Sequence, residues 1–98
     1  MKIRLKNNSV KFRISKSELT ALSQENSLDH QLAFGGPALD IFLRPTPKEQ
    51  PSAVLANYSF VVAIPMTAVQ QLKEDEKMRT FSFEADGKKI LIEKDFKS

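Results

Sequence analysis

Residues 1–49 and 50–98 repeat one pattern. Shifted by 50, Asn7-Asn8-Ser9 falls on Asn57-Tyr58-Ser59, Ile14 on Ile64, Leu19 on Val69 and Leu22 on Leu72. Shifted by 49, Leu32 falls on Phe81, Phe34 on Phe83, Ile41 on Ile90 and Leu43 on Ile92. Few residues are identical, but apolar positions and turns keep step. A chain of ~49 residues is too short to bury a stable core alone. Two such halves packed together predict one domain, residues 1–98, with an approximate two-fold axis.

Within each half the pattern reads strand, strand, helix, strand, strand. Ile3 and Leu5 alternate with Lys2, Arg4 and Lys6, the period of a half-buried strand. After the turn residues Asn7-Asn8-Ser9, Val10, Phe12 and Ile14 alternate with Lys11 and Arg13. Ser15 and Glu18 form an S-x-x-E capping box, and Leu19 and Leu22 share a face of a helix over about 16–24. Strands follow over 28–34 and around Leu39, Ile41 and Leu43, separated by Gly35-Gly36-Pro37. Pro45, Pro47 and Pro51 mark a linker over 45–51, because proline lacks the amide that sheets and helices use. The order then restarts, with strands over 53–56 and 58–64 and a helix over about 66–74 that buries Val69 and Leu72. Strands over 78–84 and 89–93 flank Asp86-Gly87, a strong hairpin signal. The expected fold is mostly β (α+β): two fused ββαββ repeats closing into one pseudo-two-fold barrel. The alternative is two four-stranded sheets packed face to face, each with its helix.

Two resemblances follow from these residues. Phe60-Val61-Val62-Ala63-Ile64-Pro65 before a helix, and Asp86-Gly87-Lys88-Lys89-Ile90-Leu91-Ile92 after it, resemble the swapped-hairpin module of AbrB-type regulators and MazE-type antitoxins. The first half keeps that layout with Ser15 in place of the proline. The resemblance implies interleaved hairpins and DNA contacts from basic residues of the first two strands. The whole chain also resembles a family of small uncharacterised bacterial proteins that begin M-K-I-R-x-K-x-N-S and end E-K-D-F, as in Met1–Ser9 and Glu93–Phe96. That family brings no activity with it.

Charge supplies the main functional pointer. The net +3 resides wholly in residues 1–49, with eight Lys or Arg against five acids, whereas 50–98 balances at seven each. Six of the cations precede residue 17. If the first two strands pair, Lys2, Arg4, Lys6, Lys11 and Arg13 line one face, a candidate nucleic-acid contact. Engagement of all five predicts a log–log salt slope of roughly −4 to −5. In the second repeat the matching face is uncharged. Val54, Ala56, Val61 and Ala63 there make a candidate surface for a protein partner or self-association, unless the chain itself covers them.

Other features argue against further chemistry. His30 is the single histidine, and its phase with Leu28 and Leu32 predicts a hydrogen-bonded histidine beside the core. Without cysteine there is neither a disulfide nor a thiolate zinc site. Glu74-Asp75-Glu76 reads as a solvated helix end, and Gly35-Gly36 as a turn rather than a phosphate loop. No residue set converges on catalysis, so the chain is not expected to be an enzyme, and no cofactor, metal or small-molecule ligand is expected. No apolar run approaches the ~18 residues of a membrane helix, and the alternating start is unlike a signal peptide. These features fit a cytoplasmic protein with no membrane association.

Overall fold

The computed structural model describes residues 1–33 and 35–96. The first repeat contributes β1 (Lys2–Lys6), β2 (Ser9–Ile14), α1 (Lys16–Ser23), β3 (Leu28–Leu32) and β4 (Leu39–Thr46). The second contributes β5 (Ser52–Ala56), β6 (Ser59–Pro65), α2 (Met66–Glu74), β7 (Thr80–Ala85) and β8 (Lys88–Lys94). The duplicated layout is therefore present element for element.

The strands form two four-stranded sheets, ordered β1-β2-β8-β7 and β3-β4-β6-β5. They do not close into a barrel, so the packed two-sheet alternative is the one observed. Each sheet joins the first hairpin of one repeat to the second hairpin of the other. The central pairs, β2 with β8 and β4 with β6, are parallel and cross between repeats. Neither sheet belongs to one half.

The start of the linker and the matching of the two second hairpins differ from the sequence expectation. β4 runs through Pro45 to Thr46, so the linker begins only after it. Proline is accommodated there because β3 has already ended opposite Leu43, which leaves β4 unpaired on that side. In the second hairpins, Leu28 lies opposite Leu43 and Phe81 opposite Ile92. Leu28, not Leu32, is thus the counterpart of Phe81, and His30 is that of Phe83. The cause is loop length: residues 33–38 connect β3 to β4, whereas Asp86-Gly87 alone connects β7 to β8. Phe34 lies outside the described residues. His30 is exposed rather than held beside the core.

The core joins both repeats. Phe12, Ile14, Ile41, Leu43, Val62, Ile64, Ile90 and Ile92 come from the central strands, and Leu19, Leu22, Val69 and Leu72 from the helices. The helices begin where β2 and β6 finish and seal that end. Ser15 caps α1 as its sequence predicts: the Glu18 amide donates to Ser15 Oγ at 3.2 Å and the Ser15 amide to Glu18 Oε1 at 2.8 Å. α2 follows Pro65 without a side-chain cap. Its far end is held by Lys94, 4% exposed, whose ammonium donates to the Asp75 carbonyl at 2.8 Å. A cation there complements the helix dipole.

Glu18 also pairs with the Met1 ammonium. Burial raises its pKa, but the ammonium and the Ser15 donors outweigh this and hold it below the ordinary value of 4.5. A depressed carboxylate stabilises the fold above its unfolded pKa, and that stabilisation fades as pH falls through the folded one. The urea midpoint of the wild type should therefore drop more than that of Glu18→Gln on acidification below 4.5. Equal drops would remove Glu18 as the cause.

Candidate nucleic-acid interface

The outer face of the first sheet is a grid of three rows. β1 pairs Lys2 with Arg13, Arg4 with Lys11 and Lys6 with Ser9. β8 then sets Glu93 beside Arg13, Leu91 beside Lys11 and Lys89 beside Ser9. Like charges directly opposite on paired strands destabilise a sheet. The row nearest the helices resolves this by ion pairing. Arg13 Nη2 lies 2.9 Å from Asp95 Oδ1, and its Nε lies 3.8 Å from Glu93 Oε1. Lys2 reaches Asp95 at 3.6 Å. Lys11 reaches Glu93 at 3.2 Å from the middle row.

The five cations therefore do not form one uniform strip. Lys2, Lys11 and Arg13 each have Glu93 or Asp95 within ion-pair distance, Lys2 through a side chain 69% exposed. Arg4 and Lys6 have no ion-pair partner among the described residues. With Lys11 and Lys89 they surround a shallow concavity of about 260 Å³, completed by Ser9 and Leu91. No acid lines it. Lys89 is the residue that sequence reasoning missed. Its period-two phase places it outward, but only the parallel β2–β8 pairing brings it beside Ser9.

The second sheet carries the same grid with other chemistry. Val54 pairs with Val61, and Val61 with Phe42, so an apolar row crosses three strands. Ala56 and Ala63 flank it. Val54, 56% exposed, and Ala56 are open on the edge strand, whereas Val61, Ala63 and Phe42 are half-buried. Repeat symmetry matches Glu93 with Arg44 and Lys89 with Asp40, inverting both signs. The Arg44 guanidinium lies 4.8 Å from the centre of the Phe42 ring, and Gln31 donates to Asp40 at 3.0 Å.

The fold and this site define a class: a duplicated two-sheet α+β protein with one cationic and one apolar outer face. The chain belongs to a family of unknown function, DUF7009, whose model matches residues 1–98. No curated protein and no solved structure matches it, and the likeness of each half to AbrB- and MazE-type modules gains no support from these comparisons. No helix among the described residues is long and apolar enough to cross a membrane.

Proposed function

We propose that the protein is a non-enzymatic, cytoplasmic nucleic-acid-binding module whose contact is the cationic grid of the first sheet. The observation that carries this reading is the concavity shared by Arg4, Lys6, Lys11 and Lys89, with the Ser9 hydroxyl among them and no acid in its lining. Ammonium and guanidinium groups so spaced suit phosphate oxygens, and Arg4 offers a planar fork for two-point contact. Such contacts position a backbone without reading its sequence. No aromatic ring stands on the grid for bases to stack on, which favours duplex over single strands. The second sheet lacks the charge, so a palindromic site has no second reader.

Duplex affinity measured across a salt series should give a log–log slope of roughly −3 to −4, the value for about four phosphate contacts. Arg4→Ser with Lys6→Ser and Lys89→Ser should flatten the slope towards −1, whereas Lys2→Ser should leave it nearly unchanged. A wild type with no salt-dependent binding at low salt would sink the reading.

The apolar row of exposed Val54 and half-buried Val61 and Phe42 favours a second reading, a protein-interaction or self-association module. Sedimentation at several concentrations, with Val54→Asp as control, tests it. A strict monomer that captures no partner counts against it.

A further inference from the structure

The turns at Asn7-Asn8, Asn57-Tyr58 and Asp86-Gly87 lie at the end of the molecule opposite the helices, and there the two sheets stand apart. A cleft of about 390 Å³ opens between them. Three pairs of its wall residues are related by the repeat: Leu5 with Leu55, Val10 with Phe60, and Ile90 with Ile41. Leu5 and Leu55 remain 62% and 65% exposed although both are in phase with the core face. One pair breaks the symmetry. Lys88 occupies the core-facing position whose counterpart is Leu39, and both line the cleft. Asp86 lines it too, from the turn before β8 rather than from a strand's inner face.

We propose that this cleft binds an aliphatic carboxylate, its chain between Leu5 and Leu55 and its head on the Lys88 ammonium. The volume falls in the range of small-molecule sites, which are mostly apolar with a few fixed polar groups. A lysine replacing leucine on the apolar face supplies a cationic head contact at the rim, and Asp86 beside it leaves room for one anionic group only on the Lys88 side. The bound chain would remove from water the two leucines that the sheets leave exposed. This site is separate from the cationic grid, since only inner-face and turn residues form it.

The test uses laurate and dodecyltrimethylammonium below their micelle concentrations and dodecanol below its solubility limit, followed by methyl shifts of Val10, Ile41 and Ile90. Laurate should bind most tightly and perturb these methyls. Lys88→Met should weaken laurate about tenfold and leave dodecanol unchanged, as expected for loss of one charge-assisted contact. Leu55→Asp, at an exposed position that the fold does not need, should weaken both about tenfold or more. The proposal is overturned if no probe moves these methyls in the folded protein, or if the ammonium amphiphile binds as well as laurate. It is equally overturned if the wild type self-associates with concentration and Leu55→Asp abolishes that, since the cleft then seats a second copy.

Discussion

Residues 1–49 made as a separate peptide should be unfolded, and mixing them with an equimolar 50–98 peptide should restore a cooperative, β-rich protein. Within one repeat the two hairpins share no ladder: β1-β2 bonds only to β8, and β3-β4 only to β6. An isolated half keeps two separate hairpins, which are marginal in water. Self-pairing of the first half is opposed by charge. In a homodimer built on the same plan, β2 would lie beside β4 of the other copy. Arg13 would then face Arg44 instead of Glu93, and both Glu93 and Asp95 would be lost to Lys2, Lys11 and Arg13. The 50–98 peptide meets no such clash, because β6 beside β8 sets Ala63 against Glu93 and Val61 against Leu91. Circular dichroism and urea titration of each peptide and of the mixture check this. A cooperative transition from 1–49 alone would refute the interdependence of the halves.

The same inversion marks where the sequence stops being legible. Strands, turns and helices follow from period-two patterning, the Ser15–Glu18 box and Asp86-Gly87, all local signals. Which strand lies beside which is a tertiary fact. The neutralisation of Arg13 by Asp95 joins residues at opposite ends of the chain, and nothing near Arg13 announces it. Lys89 is outward by phase, yet its place beside Ser9 depends on the parallel register of β2 and β8. The correspondence of β3 with β7 was hidden for a different reason. Matching apolar residues at a constant shift assumes equal loops, and the longer 33–38 connection moves the true partner of Phe81 back to Leu28. The cleft was half visible. Leu5 and Leu55 are in phase with the core, but their exposure reflects how far the sheets separate beyond the reach of the helices.

Phe12→Ala should be the most damaging single truncation in the first hairpin, costing roughly 3–5 kcal/mol in unfolding free energy. Phe12 is fully buried, the only aromatic ring among the described residues to be so, and its counterpart in the second repeat is the smaller Val62, also fully buried. Close-packed interiors balance large side chains against small ones, so the duplication has diverged in volume here as it has in charge outside. Truncating Phe12 leaves a void where the sheets and helices meet, and the ladders on both sides of that strand, antiparallel to β1 and parallel to β8, restrict how far the backbone collapses into it. Leu5→Ala, two strand positions from the same core but 62% exposed, should cost about 0.5 kcal/mol or less. Exchanging the pair, Phe12→Val with Val62→Phe, should cost less than the sum of its single changes, because total core volume is kept. Urea unfolding of the five variants measures all of this. If Phe12→Ala and Leu5→Ala cost the same, the inter-repeat core is not what holds the two sheets together.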